Sequence, residues 1–429
     1  MLNGGDSLDR GVTDYRKQGL PWTSNEVDRD GPVVESENAA PILERAFIKF
    51  DATRASSEGS KAWTMVAEGD NEGAEAIVAH YAPELVLAKE AAQLPRADFH
   101  KDWDLGPEIL FPETMSLRSL ERLLSVRAVM EARRGEVAAS NSDLKDAWAL
   151  SRLAGQEPIL ISLLVQVSSR ATILSAAEQA VSAYRSQPPA LSLLKTLLAK
   201  MTDEVNFERA VRGEAYMGLV VLRNGPIFRS RLMHNSDTDS KIPVLDPRTL
   251  RRSGSPTGII ERFTGGKLLK SYVQLDSIAR KDAGNSTQLD ADLQAFDQEL
   301  AKDNSLTAYY RNILLPVYSH IGQVISEDKA RRVTMMALVG AMLKHAQTGR
   351  YPARISDISG TWIDPFDGKP LRLKVKGESI RIYSVGPNMK DDGGISRAES
   401  GGSSTDYDVV AGYPPPVKSA TKSRKKLGR

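Results

Sequence analysis

The stretch WIDPFDGKPLRLKVKGESIRIYSVGP, residues 362–387, is where the chain changes its period. Leu371, Leu373 and Val375 alternate with basic residues, and Ile380, Ile382 and Ser384 alternate with Arg381 and Tyr383. A period of two sends successive side chains to opposite faces, so each run reads as a strand with one buried face. The KGES between them (376–379) carries the glycine that a tight hairpin turn needs. A small antiparallel sheet therefore lies near the end of the chain. It sets the class, because most of what precedes it reads as helix.

Working back from this hairpin, helical spacing is strong in 319–348 and present in 268–282 and 288–301. Further upstream, SLRSLERLLSVRAVMEARRGE (116–136) spaces Leu117, Leu120 and Leu124 along one helical face and ends near Gly135. NSDLKDAWALSRLAGQ (141–156) repeats the pattern with Leu144, Ala147, Trp148, Ser151 and Leu153, and stops at Gly155. Two such helices joined by a short glycine-containing turn predict an antiparallel hairpin. It is similar to a tetratricopeptide hairpin, although no clean repeat of the length that family requires recurs. EPILISLLVQVSSRATILSAAEQAVSAY (157–184) is too apolar for a surface helix and is expected to run through the centre of the bundle. Its polar side carries Gln166, Ser168, Ser169 and Arg170. In SENAAPILERAF, Ser36 or Asn38 can cap a helix whose first turn holds Pro41.

The expected fold is thus α+β and mostly α. A helical bundle spans 37–325, with an irregular Pro-, Gly- and Ser-rich excursion at 225–267, and a small helix-plus-sheet module spans 326–412. Residues 1–36 read as an extended leader, and 413–429 as a Pro hinge followed by a basic, disordered tail.

Composition excludes several function classes. Lysine plus arginine number 57 and aspartate plus glutamate 55, so no overall field points to nucleic acid. The absence of cysteine removes disulfides, thiolate metal sites and a cysteine nucleophile. The start, MLNGGDSLDRGVTDYRKQGLPW, lacks the apolar core of a signal peptide. The five histidines (80, 100, 234, 320 and 345) show no metal-ligand spacing. TGGK at 264–267 lacks the spacing of a phosphate loop, and SLLK and SATK match S-x-x-K only formally. His100 lies among Asp98, Asp102 and Asp104, either as an acid–base cluster or as an ordinary polar interhelix loop. Asp364 and Asp367 read first as turn residues.

After the hairpin comes VGPNMKDDGG and, downstream, DYDVV. The loop between offers Asn388, Asp391, Asp392, Asp406 and Asp408, with Ser396 and Glu399 in between. Calcium takes six to eight oxygen ligands, and clustered carboxylates repel one another until a cation joins them. Two other readings stay open. One is an EF-hand loop counted from Asn388, with Gly393 at position 6 and Glu399 at position 12, although Lys390 then falls where a ligand belongs. The other is a plain solvated Asp-Gly turn.

From ALVGAMLKHAQTGRYPARISDI through DPFDGKP, IRIYSVGPN and KDDGG to DYDVV, residues 328–411 resemble the globular part of type II secretion major pseudopilins. The resemblance implies a long helix, a hairpin, and a calcium site using the carboxylates of the terminal D-x-D pair, which match Asp406 and Asp408. The loop entrance matches Asn388 to Asp392. The whole chain is also similar to large envelope proteins of planctomycete-type bacteria. That likeness implies a periplasmic or cell-surface protein, held in its native form by a membrane segment outside this sequence. Its partners would be other envelope or secretion-system proteins, not nucleic acid. The expected function is non-enzymatic, structural or interaction-based; the alternative is an envelope hydrolase with its site in the helical domain, around His100 or 225–267.

Overall fold

The hairpin expected at 371–384 is present. In the computed structural model, β1 (Arg372–Lys376) pairs antiparallel with β2 (Ser379–Ser384), and Lys376 lies opposite Ser379. Gly377 supplies the positive φ (57°) of the two-residue turn, a conformation that favours glycine. β3 (Val409–Tyr413) adds to the other side of β2, so β2 is the central strand of three. The structure describes residues 4–28, 31, 33–223, 256–302, 315, 318–401 and 406–416. It is 65% helical with this one small antiparallel sheet, a mostly helical α+β fold.

Ten helices precede residue 224 among the described residues: α1 (Gly4–Lys17), α2 (Ala40–Phe47), α3 (Ala52–Glu68), α4 (Asn71–His80), α5 (Ala82–Ala91), α6 (Pro112–Arg134), α7 (Val137–Ala154), α8 (Leu160–Ala183), α9 (Pro188–Leu198) and α10 (Phe207–Arg223). α11 (Pro256–Lys281), α12 (Ser286–Ala301) and the 30-residue α13 (Ser319–Thr348) follow. The stop at Gly135 is a left-handed cap at φ 79°, its N–H bonded to the last turn of α6, and α7 folds back against that helix. Asn38 sits just before α2, where its Oδ1 accepts the Ala40 N–H at 3.0 Å.

Buried apolar side chains form two main cores. One gathers α2 through α9 with the C-terminal half of α13 and the inner face of the sheet, including Leu338, Met342, Ile380, Ile382 and Ala411. The other joins Tyr15, Leu20 and Val27 to the start of α8, α10, α11, α12 and the N-terminal half of α13. Each fully enclosed aliphatic side chain in these cores contributes about 1.5–3 kcal/mol. The region 37–325 thus feeds both cores, and residues 335–411 share the first one with α2–α9.

α8 and α13 are the two elements that run through both cores. Between the cores, Arg170 of α8 is fully enclosed. Its guanidinium lies 4.6 Å over the Trp148 ring, bonds Asp203, and reaches Asp328 of α13 at 3.4 Å. Burial pushes the Asp328 carboxyl up, and Arg170 and Arg332 oppose this. By length and composition α8 is apolar enough to cross a membrane, yet most of that window is inside the protein. The polar side expected for it is also interior, with Gln166, Ser169 and Arg170 all buried.

Two expectations change. Residues 4–17, read as part of an extended leader, form α1, whose Tyr15 is fully buried and donates its hydroxyl to the Pro21 carbonyl at 3.0 Å. The reason is close packing: a Cβ on Gly11 would stand 2.9 Å from the Gly266 carbonyl oxygen of α11. The glycines there serve approach between helices and not flexibility. Of the excursion at 225–267, residues 225–255 lie outside the described residues and 256–267 open α11. TGGK is consequently helical. The tail from 417 onward is outside the described residues as well.

Candidate functional site

The loop between β2 and β3 is folded back over the outer face of the sheet by side chains the strands supply. Arg381, on β2, donates to the Gly394 carbonyl at 2.5 Å and forms a two-pronged pair with Glu399 at 2.5 and 2.9 Å. Lys374, on β1, donates to the Gly393 carbonyl at 3.2 Å. Gly394 has φ 76° and sits where a Cβ would come within 3.2 Å of the Tyr383 ring, so the loop needs glycine there. On its exit side, Tyr407 donates its hydroxyl to Glu327 of α13 at 2.7 Å.

Four of the five residues expected to bind metal come together. The Asn388 amide donates to Asp392 Oδ2 at 2.9 Å and to Asp406 Oδ1 at 3.4 Å, joining loop entrance to loop exit. Asp408 is 1% exposed and accepts from the backbone N–H groups of Gly394 at 2.6 Å and Asp392 at 3.3 Å. Its carboxyl is pushed up to about 6, first by burial and then by the nearby charges of Asp391 and Asp392, while the two N–H bonds pull the other way. Asp391 stands apart: it is exposed, accepts the Gly393 N–H at 2.9 Å, and lies beside the Tyr383 hydroxyl, which it helps to raise to about 12.

The donors in this loop are oxygens suited to calcium, but their arrangement is not a finished metal site. Among the described residues no three acidic or histidine side chains converge to hold an ion. The Asn388 amide nitrogen fills the gap between Asp392 and Asp406 that a cation would take. The EF-hand reading does not survive. A strand precedes the loop where that motif requires a helix, and Glu399 is engaged by Arg381 and by Ser396 through both its N–H and its hydroxyl.

Asp364 and Asp367, read as turn residues, form a site of their own. Asp364 is fully buried and accepts from the Phe366 and Val385 N–H groups, the Ser384 hydroxyl at 2.7 Å and Arg372 at 2.5 Å. Burial pushes Asp367 up, but hydrogen bonds from Arg372 and the Lys369 N–H hold it below the usual carboxylate range overall.

The surroundings of His100 hold a cavity of about 620 Å³, lined in part by Asp98, His100, Lys101, Trp103 and Glu157. Asp102 and Asp104 are spoken for: Asp102 caps the short helix at Trp103–Glu108, and Asp104 accepts from the Tyr216 hydroxyl. Neither Glu157 nor Trp103 was marked by the sequence, because the walls come from segments far apart in the chain. His80 ends α4, His320 and His345 lie near opposite ends of α13, and His234 is outside the described residues.

The fold and its loops define a mostly helical α+β protein whose acidic loop is fastened to a small sheet. No family model, curated protein or solved structure matches the chain.

Proposed function

We propose that the protein is a non-enzymatic, envelope-associated structural or interaction protein with a pseudopilin-like C-terminal module stabilised by calcium. The observation that carries this reading is the closure of the β2–β3 loop on itself, in which the Asn388 amide bonds Asp392 and Asp406 and the Asp392 N–H bonds Asp408. A long helix bearing a three-stranded sheet, with the acidic loop between the second and third strands, supports the likeness. Calcium would be held by oxygens of Asp392, Asp406 and Asp408 with Asp391 and Asn388 beside them. Its charge would remove the repulsion that now falls on Asp408, and it would contribute stability and not catalysis. The reading places the protein at the periplasmic or outer face of a bacterial envelope, with other envelope or secretion-system proteins as partners.

The test is thermal melting in EDTA and in added calcium, for the parent protein and for Asp406→Ala and Asp408→Ala. Calcium raises the Tm of the parent and loses that effect in both variants; an unchanged parent Tm removes the metal from the proposal. The alternative, an envelope hydrolase, is favoured by one observation, the cavity beside His100 with several titratable groups facing it.

A further inference from the structure

The cavity beside His100 is walled by four separated stretches of the chain, and its chemistry is mixed in a particular way. Trp103, half-buried, gives one flat apolar surface, continued by Pro158 and Ala97. Around it stand planar polar groups: Asn25, Asp98, Gln156 and Glu157. The basic side chains on the wall already hold acidic partners. Arg96 and Arg209 both reach Asp28, at 3.0 and 3.2 Å, and Lys101 reaches Glu113 at 2.9 Å. An anion entering the cavity would have to compete with those carboxylates, whereas a neutral ligand would not.

Two features mark the wall as more than a packing gap. Glu157 is half-buried in the wall, and burial, with Glu113 and Asp98 adding to it and Lys101 and Arg209 opposing, raises its carboxyl to about 8. Its carboxyl oxygens accept from a hydroxyl in either protonation state, and the protonated form also donates. His100, at the rim, is held at φ 50°, an uncommon conformation for a non-glycine residue. Asp98 meets it through the His100 N–H at 2.8 Å and through Nδ1 at 3.3 Å, and the imidazole is otherwise exposed.

We infer that this cavity is a binding site for a neutral saccharide of one or two sugar units. A pyranose has an apolar C–H face, which an indole covers, and an edge of hydroxyls that each donate and accept. The wall offers that pairing: Trp103 for the face, and Glu157, Asn25 and Asp98 for the edge, while the Gln156 amide is held by the Ala97 N–H and the Pro95 carbonyl. A volume of about 620 Å³ lies in the ordinary range of small-molecule sites and accepts a disaccharide with some water. This inference is independent of the calcium loop, and it leaves open to experiment only whether the bound sugar is also cleaved.

The experiment titrates the full chain with glucose, maltose, N-acetylglucosamine and its β-1,4-linked disaccharide, with inorganic phosphate as the anionic competitor. Calorimetry gives affinity, and saturation-transfer NMR shows which ligand protons touch the protein. At least one sugar should bind with a Kd below about 10 mM, the weak end of measurable affinity. Its ring C–H protons should receive the strongest transfer. Trp103→Ala and Glu157→Leu should each weaken binding about tenfold or more, a change of ~1.4 kcal/mol. Glu157→Gln, which keeps a donor and an acceptor, should stay within a few-fold of the parent. EDTA should leave binding unchanged. The inference is overturned if no sugar of the set binds, if binding survives both Trp103→Ala and Glu157→Leu, or if phosphate binds more tightly than every sugar. Should those two variants fail to fold, the saturation-transfer pattern of the parent and the Glu157→Gln affinity decide. Binding without release of monosaccharide upholds the inference and shows that this cavity does not cleave the sugars tested.

Discussion

The C-terminal module contains two aspartate-rich turns that solve the same electrostatic problem differently. In DPFDGKP the buried Asp364 has a cation from its own sheet: Arg372 bonds it at 2.5 Å and also engages Asp367. Two N–H groups and a hydroxyl complete its shell. In the β2–β3 loop Asp408 is equally enclosed, but its partners among the described residues are two peptide N–H groups. The nearby basic side chains are committed elsewhere, Arg381 to Glu399 and Lys374 to the Gly393 carbonyl. A buried carboxylate with a covalently supplied cation needs nothing further. One whose neighbours are carboxylates is raised toward neutrality, and gains by admitting an ion.

The largest effect that tests this contrast falls on the first turn. Arg372→Met keeps much of the apolar stem and leaves Asp364 buried with its charge uncompensated. Removing one partner of a buried pair costs about 3–5 kcal/mol, to be read from urea denaturation. A loss below about 1 kcal/mol would mean that peptide N–H groups suffice for a buried carboxylate, and the contrast between the turns would collapse.

The next effect belongs to the second turn. Calcium at a hundredfold its dissociation constant should stabilise the parent by about 2.7 kcal/mol, since it binds only the folded loop. Arg372→Met should retain this gain, and Asp406→Ala should lose it. Calcium stabilisation that persists in Asp406→Ala would place the ion outside the loop.

Titration gives a smaller, signed prediction. Asp408 is raised in the folded protein to about 6, so between about pH 4 and 6 the native state holds a proton that the unfolded chain has released. Its contribution is therefore most favourable below about pH 4 and is lost as pH rises through about 6. A shift of about two units sets an upper limit near 3 kcal/mol, and water around the exposed Asp391 reduces the expected effect to about 1 kcal/mol. Burial also raises Glu178, which accepts the Gly412 N–H at 2.7 Å, to about 7, so the whole protein shares this slope. The informative quantity is the difference between parent and Asp408→Asn stability curves. Calcium should flatten that difference, because the ion favours the ionised carboxyl.

How far the sequence reached follows from the range of each interaction. The hairpin was legible because alternation is local, and the stops at Gly135 and Gly155 because capping is local too. α1 was not, since its stability comes from Gly11 meeting Gly266, and a glycine-rich opening carries no local helical signal. The enclosure of Arg170 escaped for the same reason: its partners Asp203 and Asp328 lie on other elements. In the candidate loop, the donors were visible as residue types, while the closure of Asn388 on Asp406 needed the fold. The saccharide cavity lay beside a residue the sequence had marked, His100, but its Trp103 and Glu157 carried no signal of spacing.

The smallest effect checks the exclusion of the EF-hand reading, which made Glu399 a ligand. Its pair with Arg381 is partly solvated, with side chains 32% and 24% exposed. Glu399→Gln should therefore cost only about 0.5–1 kcal/mol, in the range of exposed ion pairs. The calcium response is the sharper readout. With Glu399 engaged by Arg381 and Ser396, the variant should keep the full calcium-induced rise in Tm. If Glu399→Gln abolished that rise while Asp406→Ala preserved it, the ion would sit at the twelfth position of an EF-hand-like loop. The loop would then have to release Arg381 on binding, and the carboxylates of Asp406 and Asp408 would be structural.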